Sequence, residues 1–156
     1  MLKALLLLAS GLLLTGAGHP ALYRDSSGRI SGTARKQGNR TVYRDGQGRM
    51  IGSGSQQGNR TVYRDSSGRI SGTAQKQGSR TVYRDGQGRL VGTVTTSGNR
   101  TVFRDSSGRI KNTAHVQGNR TVYRDGQGRY NGSGTPAASQ PYQDTYGISR
   151  GKKQKK

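Results

Sequence analysis

Residues 58–77 read GNRTVYRDSSGRISGTAQKQ, and residues 78–97 read GSRTVYRDGQGRLVGTVTTS, which is nearly the same twenty-residue segment. The segment occurs six times: Tyr-Arg-Asp begins at positions 23, 43, 63, 83 and 123, and Phe-Arg-Asp begins at position 103. The residues that follow alternate between Asp-Ser-Ser-Gly and Asp-Gly-Gln-Gly, so the larger unit is a 40-residue pair that occurs three times. A fixed period of this kind indicates a repeat architecture.

Each repeat predicts two short β-strands joined by tight turns. The segments RTVYRD and RISGTA carry β-branched and aromatic residues and are bounded by turns that contain Gly. The Asp and Gly of DSSG are typical of a three-residue hairpin loop with a glycine bulge, and the Gly-Asn of QGNR suits positive φ in the next turn. Such a hairpin places Asp65 opposite Arg69, and this pair favours one register.

Alternation along these strands predicts which side chains share a face. One face is expected to hold Val62, Arg64, Ile70, Gly72 and Ala74, and the other Thr61, Tyr63, Asp65, Arg69, Ser71 and Thr73.

The composition limits the core that the chain can build. Only 28% of the 156 residues are apolar, 26 are Gly, and the formal net charge is +20. Globular domains have about 45–50% apolar residues, so we expect order to come mainly from backbone hydrogen bonds and from stacking between repeats. The prediction is an all-β fold, a repetitive antiparallel β-hairpin array of six 20-residue repeats. A β-solenoid is the alternative, and the sequence does not decide among a flat ribbon, a closed barrel and a solenoid.

Three segments divide the chain. Residues 1–18 have a basic start, a short apolar run and small residues at the end, which is typical of a cleaved secretory signal peptide. An uncleaved N-terminal anchor is the alternative. The six-copy repeat region spans residues 19–130, and residues 131–156, with two Pro residues and a closing Lys cluster, are expected to form a disordered, flexible basic tail.

This organisation predicts a periplasmic or secreted protein. After cleavage of the signal we expect no transmembrane segment. No Cys follows the apolar run, so no lipoprotein anchor is expected either.

The segment YRDSSGRISGTAQKQGSRTVYRDGQGRLVGT, residues 63–93, resembles the YD (Rhs-type) repeats of bacterial surface and toxin-delivery proteins. Asp85, Gly88, Arg89 and Leu90 match the centre of that pattern, and residues 98–101 match the approach to the next copy. The resemblance covers about residues 22–130 and implies an antiparallel ribbon of linked hairpins. Here an Arg separates Tyr from Asp, and six copies are too few to enclose a toxin, so encapsulation is not expected.

No catalytic, cofactor-binding or metal-binding residues are predicted, so we expect a non-enzymatic protein without a cofactor. Cys and Glu are absent, and six of the seven Asp residues occupy one turn position. His19 and His115 are isolated, so neither has a partner for acid-base or nucleophilic catalysis. One Asp per repeat does not meet the need of calcium for several clustered carboxylates.

The positive charges that recur in each repeat form the candidate site. Stacked repeats place guanidinium groups in rows, which repel one another unless an anion lies between them. Arg also binds phosphate and carboxylate groups in a fixed fork geometry. A charged surface that prevents aggregation at strand edges is the simpler interpretation. The predicted polyanion-binding residues are Arg40, Arg44, Arg49, Arg60, Arg64, Arg69, Arg80, Arg84, Arg89, Arg100, Arg104, Arg109, Arg120, Arg124, Arg129, Lys152, Lys153, Lys155 and Lys156.

Signal, repeat and charge together predict a structural or binding role at the bacterial envelope. The expected partner is an anionic polymer, such as lipopolysaccharide, or a larger surface protein. A binder of extracellular nucleic acid is an alternative, because interleaved Tyr and Arg residues can stack on bases and contact phosphates. An accessory or remnant of a YD-repeat toxin-delivery system is a further alternative, and the sequence is compatible with self-association.

Overall fold

The computed structural model describes residues 20–135, and in this range the chain forms twelve β-strands and no helix. Each repeat contributes one hairpin, with RTVYRD or a variant on the odd-numbered strand and RISGTA or a variant on the even-numbered one. The strands are β1 (Ala21–Arg24), β2 (Ile30–Gln37), β3 (Arg40–Asp45), β4 (Met50–Gln57), β5 (Arg60–Asp65), β6 (Ile70–Gln77), β7 (Arg80–Asp85), β8 (Leu90–Ser97), β9 (Arg100–Asp105), β10 (Ile110–Gln117), β11 (Arg120–Asp125) and β12 (Tyr130–Thr135).

The twelve strands close into one antiparallel barrel, in which neighbours in the chain are neighbours in the sheet. The first and last strands complete the circle by pairing Leu22 with Thr135 and Tyr23 with Gly134. The predicted all-β array of antiparallel hairpins is confirmed, whereas the alternative of a β-solenoid is wrong. Consecutive hairpins alone would leave two edges with unpaired backbone groups, and the pairing of β1 with β12 removes both.

The barrel extends slightly beyond the predicted repeat region. Strand β12 continues to Thr135, so residues 131–135, which the sequence assigns to the tail, are part of the barrel wall. The predicted signal peptide, residues 1–18, and the rest of the predicted tail, residues 136–156, lie outside the described residues.

The two ends of the barrel carry different turns. At the Asp-turn end, the six turns are at residues 25–28, 45–48, 65–68, 85–88, 105–108 and 125–128, and each ends on a Gly with φ between 80° and 84°. At the far end, two-residue turns lie at 38–39, 58–59, 78–79, 98–99 and 118–119. Each far-end turn starts with a Gly whose φ is between 53° and 59°, as two-residue hairpin loops require.

A one-residue bulge near the start of each even strand sets the direction of its side chains. In the third hairpin Tyr63 pairs with Gly72 and Arg64 pairs with Ile70, so Ser71 is skipped in the pairing. The same shift occurs in the other five hairpins. A skipped residue reverses the faces of all residues that follow it relative to those before it.

This bulge corrects the predicted faces. Residues paired across antiparallel strands share a face, so Gly72 lies with Tyr63, and Thr73 lies with Val62. The prediction that placed Gly72 and Ala74 with Val62 is wrong because it continued simple alternation through the bulge. Alternation within RTVYRD has no bulge and is as predicted, with Tyr63 buried between exposed or half-buried neighbours.

Six aromatic side chains are buried in the barrel interior, and each is at most 5% exposed: Tyr23, Tyr43, Tyr63, Tyr83, Phe103 and Tyr123. Small residues on the flanking strands make room for them; Tyr43, for example, pairs with Ala34 and Gly52. Packing is tight, because a Cβ atom added to Gly54 would lie 3.0 Å from Tyr43 Oη and 3.1 Å from Tyr63 Cε1. The core is therefore a layer of rings set mostly among Gly and Ala, with the larger Val94 and Asn112 beside Phe103.

The alternation of Asp-Ser-Ser-Gly and Asp-Gly-Gln-Gly turns has a steric cause. A Cβ atom on Gly46 would lie 2.5 Å from the carbonyl oxygen of Ile30 in the preceding hairpin, and a Cβ atom on Gly86 or Gly126 would lie 2.6 Å from the equivalent carbonyl oxygen. Backbone cannot move away from such a contact without breaking the strand pairing. Ser occupies the corresponding position of the other three turns, so this steric restriction recurs once in each 40-residue pair.

We predict that Gly46→Ser lowers the free energy of unfolding by about 1–3 kcal/mol, because the new Cβ overpacks against the Ile30 carbonyl. The control is Ser66→Gly at the same turn position of the next hairpin, where the expected change is under about 1 kcal/mol. Urea unfolding followed by circular dichroism measures both. Equal effects of the two substitutions would contradict the steric explanation.

A second prediction concerns alkaline pH. Burial, together with the neighbouring tyrosines, raises the pKa of Tyr43 and of Tyr123 well above the usual value. The unfolded chain ionises these residues near pH 10 and the folded chain does not, so the stability is complete below about pH 10 and falls above it. Each residue should contribute a decrease of about 1.4 kcal/mol per pH unit.

Urea unfolding between pH 8 and pH 12, together with phenolate absorbance of the folded protein, tests this expectation. The variant Tyr43→Phe/Tyr123→Phe should show a shallower decrease above about pH 10. Normal phenolate titration of every tyrosine without loss of structure would refute it.

Candidate polyanion-binding surface

Closure of the barrel turns the predicted rows of arginines into rings. All fifteen predicted arginines are exposed, and the four predicted lysines lie outside the described residues. By their position in the repeat the arginines form three sets, and these sets also include the two corresponding arginines of the first repeat. The wall arginines are Arg24, Arg44, Arg64, Arg84, Arg104 and Arg124; the turn arginines are Arg29, Arg49, Arg69, Arg89, Arg109 and Arg129; and the far-end arginines are Arg40, Arg60, Arg80, Arg100 and Arg120.

The wall arginines have a structural role at the Asp-turn end. In every hairpin, Nη1 of the wall arginine donates a hydrogen bond of 2.8–2.9 Å to the carbonyl of the Gly that ends the turn, as Arg64 does to Gly68. This bond ties the turn to the barrel wall. A guanidinium group has five N–H donors, so this contact leaves others for a ligand.

The turn aspartates are occupied by backbone donors. In each turn Oδ1 accepts hydrogen bonds of 2.9–3.0 Å from two backbone N–H groups, as Asp65 does from Ser67 and Arg69. The carboxylates therefore shape the turns. Their six negative charges only partly offset the twelve wall and turn arginines at the same end.

The turn arginines fall into two classes of three. In the Asp-Gly-Gln-Gly turns the Arg is held, since Nε of Arg89 lies 2.7 Å from Asp85 Oδ2 and its Nη2 donates to Gln87 Oε1 at 2.6 Å. Arg49 and Arg129 are held by Asp in the same way at 2.8 and 2.7 Å. In the Asp-Ser-Ser-Gly turns no Gln is present. There the side chains of Arg29, Arg69 and Arg109 form no hydrogen bond or ion pair with any residue in the range 20–135.

The held arginines also affect their aspartates. For Asp125 the hydrogen bond from the Arg129 side chain is the main cause of a lowered pKa. For Asp45 and Asp85 burial works in the opposite direction, but the hydrogen bonds from backbone and side-chain donors outweigh it, and the pKa is again lowered. Each of these turns thus keeps its ion pair down to acidic pH.

The far end has positive charge without acidic residues among the residues that the structure describes. Arg60, Arg80 and Arg100 form no side-chain hydrogen bond within the described part of the chain. Arg40 and Arg120 have only long contacts, of 3.5 Å to Ser53 Oγ and 3.3 Å to Tyr130 Oη. These side chains are therefore available to anions.

Sequence reasoning missed several basic residues of the same surface. Arg24 and Arg29 occupy the wall and turn positions of the first repeat, and their place in the repeat could have identified them. Arg35, Lys36 and Lys76 lie at variable positions of even strands, and the two-residue turns that follow these strands place them at the far end with the far-end arginines.

A cavity of about 210 Å³ lies at the far end. It is lined by Ala74 and by five polar side chains, those of Gln56, Asn59, Thr61, Lys76 and Thr81. Hydroxyl groups and one ammonium group can bind a small polar or anionic group there. The cavity adds one more cationic element to this end of the barrel.

Other kinds of site are not found in the range 20–135. No three His or Asp side chains there are grouped so that they could hold a metal ion. That part of the chain also contains no helix of the length and apolar character needed to cross a membrane.

The interleaved tyrosines that suggested base stacking are mostly not on the surface of the described barrel. The tyrosines that interleave with arginines in the sequence are buried inside the barrel, apart from Tyr130. Contact with a nucleic acid would therefore use phosphates rather than exposed tyrosine rings.

Comparison with known proteins shows the fold and no family. No protein-family model matches the chain, and no curated protein matches it. A solved structure of a protein from Arabidopsis thaliana is similar, with a TM-score of 0.55 and 15% sequence identity over 80% of this chain and 82% of that chain. At this identity the likeness concerns the fold alone, and the resemblance to YD repeats stays a prediction.

Two arginines of β5 provide a test of the structural role assigned to the wall set. Arg64→Gln removes the bond to the Gly68 carbonyl and should lower the free energy of unfolding by about 0.5–1.5 kcal/mol. Arg60→Gln, the same charge change on the same strand, should stay within about 0.5 kcal/mol of the parent. Chemical denaturation of the two variants measures the difference. Indistinguishable stabilities would show that the turn bond is unimportant.

Proposed function

We propose that this protein is a non-enzymatic binding protein for anionic polymers, and that it acts outside the cytoplasm at a bacterial envelope. The observation that carries the proposal is the arrangement of the arginines. They form rings at both ends of the barrel, and in the described residues only three of them are paired with a carboxylate. The proposal that the protein is exported is based on the sequence of residues 1–18.

The free guanidinium groups suit phosphate, sulfate and carboxylate ligands. Arg29, Arg69 and Arg109 are exposed and unpaired within the described structure, and they recur once per 40-residue unit. A planar guanidinium group binds such anions through two parallel hydrogen bonds. Within the described residues these three side chains form no ion pair with the turn Asp, whose Oδ1 instead accepts hydrogen bonds from two backbone N–H groups.

Repetition favours a polymer over a small ligand. Each arginine is exposed to solvent, so a single contact is weak. A polymer that carries regularly spaced anions contacts several equivalent arginines at once, and each additional contact then forms at a high effective concentration. Lipopolysaccharide and other envelope polyanions have this chemistry.

The chain offers a matched pair of variants to test the proposal. Arg29→Gln/Arg69→Gln/Arg109→Gln removes the three free turn arginines, and Arg49→Gln/Arg89→Gln/Arg129→Gln removes the three held ones. Both variants lose the same charge at the same turn position. Retention on immobilised heparin and binding to lipopolysaccharide are measured over a series of salt concentrations.

We expect the variant without the free arginines to lose roughly tenfold in affinity, with a salt slope reduced by about one for each contact removed. The variant without the held arginines should keep more affinity and lose stability instead. Failure of the parent protein to bind heparin at low salt would reject the proposal. Equal losses in the two variants would show that only total charge matters.

The same assay with duplex DNA tests the alternative that the ligand is a nucleic acid. Equal affinity for heparin and DNA is expected if anion spacing and charge govern binding. A preference for base composition would favour nucleic acid as the ligand instead.

A further inference from the structure

The exposed large apolar side chains of the described barrel all lie at one repeat position. They are 37–50% exposed, and they follow directly after the turn arginines: Ile30, Met50, Ile70, Leu90, Ile110 and Tyr130. Scattered single apolar residues are normal on protein surfaces. Here, in contrast, the same position is apolar in all six repeats, although the residue type differs among Ile, Met, Leu and Tyr.

Each of these residues is paired with an arginine. Ile30 pairs with Arg24 and Met50 with Arg44, and the remaining hairpins repeat this pairing between the apolar residue and the wall arginine. Apolar and guanidinium side chains therefore alternate around the whole circumference of the barrel. We call this ring of twelve side chains the mixed belt; it consists of the six wall arginines and the six apolar residues.

The mixed belt combines two kinds of contact that a purely polar polyanion does not need. An anionic lipid surface offers both, with phosphate groups directly above acyl methylene groups. An Arg side chain can lay its aliphatic part on apolar surface while its guanidinium group reaches the phosphate. The neighbouring Ile, Met, Leu or Tyr side chain then enters the boundary between headgroups and acyl chains.

The position of the belt indicates that the wall of the barrel is the contact surface. The Asp turns extend past the belt and carry polar side chains and carboxylates, so this end of the barrel is unsuited to insertion into lipid. Along the wall, β5 presents Arg64 near one end, Arg60 near the other, and the half-buried Val62 between them. A lipid surface against the wall thus meets arginines on both sides of apolar groups.

We propose that the mixed belt binds the surface of an anionic lipid bilayer, with the barrel wall lying on the headgroups. This inference rests on the proposed function and narrows it, since it makes the preferred anions those of a lipid surface rather than those of a free polymer. Because the belt runs around the barrel, opposite sides of one molecule present the same surface. One barrel should therefore bridge two bilayers.

The test uses the full chain and vesicles that contain equal parts of phosphatidylglycerol and phosphatidylcholine, at an ionic strength of about 0.15 M. The belt variant replaces all six apolar residues with Thr, which is polar and favours strands. The control variant replaces the exposed Gln37, Gln57, Gln77 and Gln117 at the far end with Thr. Circular dichroism checks the fold, sedimentation with vesicles measures binding, and turbidity measures bridging.

We expect the belt variant to bind these vesicles roughly tenfold more weakly than the parent and to lose the turbidity. Its affinity for heparin should be unchanged, and the control variant should behave as the parent does. Vesicles of phosphatidylcholine alone should bind none of the three proteins, because the arginines then have no net anionic partner.

Two outcomes would overturn this inference without affecting the proposed function. Binding of the belt variant to anionic vesicles at parent affinity would show that charge alone suffices. A parent protein that self-associates in solution, with the belt variant monomeric and vesicle binding unchanged, would assign the belt to contact between copies. A parent protein that does not bind heparin would instead contradict the proposed function itself. The heparin measurement therefore distinguishes that failure from the two outcomes above.

Discussion

The barrel depends on the space that six inward-facing aromatic rings require. Tyr43 and Tyr63 approach Gly54 so closely that a Cβ atom there would press on both. A small residue is therefore necessary beside these two rings, and the bulge at the start of each even strand brings such residues to the inner face. Once the rings and small residues face inwards, the arginines of RTVYRD are left on the outer face, where water and ligands can reach them.

This arrangement explains how a chain with so few apolar residues builds a core. Each ring packs against residues of neighbouring hairpins as well as its own. One aromatic residue in twenty is therefore enough to build a core, because all six belong to one buried cluster. A single hairpin has no such interior. Its ring would stay in water, and the hairpin would be marginal at best. The stability of each repeat is thus a property of the closed circle.

The parts of the fold that depend on local residues were predictable, and the parts that depend on closure were not. DSSG and DGQG specify their turns through Asp and Gly within four residues, and the backbone hydrogen bond from Asp65 N–H to the Arg69 carbonyl follows from that loop. The expected pairing of the two side chains is not found there; in the described barrel it occurs only in the three Asp-Gly-Gln-Gly turns. Closure instead depends on β1 and β12, and no residue in either strand marks the other as its partner. The faces of Gly72 and Ala74 were missed because nothing in RISGTA distinguishes a bulged strand from a regular one.

The candidate site shows the same division. Repetition identified the arginines, and exposure of all fifteen described members follows from their place on the outer face. The difference between held and free arginines depends on one neighbour, because Gln87 can reach Arg89 whereas the Ser residues of the other turn cannot reach theirs. Burial of the tyrosines that were considered for base stacking was also not predicted, since it follows from closure of the barrel. Local sequence alone does not contain that information.

The circular arrangement has a consequence for how such a chain can change its length. Nearly identical repeats recombine readily, and an open solenoid can gain or lose a unit while its neighbours keep their contacts. In a closed barrel the diameter grows with the number of strands. One additional 40-residue unit would add four strands and two rings on a wider circle, and the packing of the rings against one another would change. Loss of one unit would crowd the remaining rings. Copy number in this chain is therefore constrained by the geometry of the closed barrel, a limit that an open array does not have.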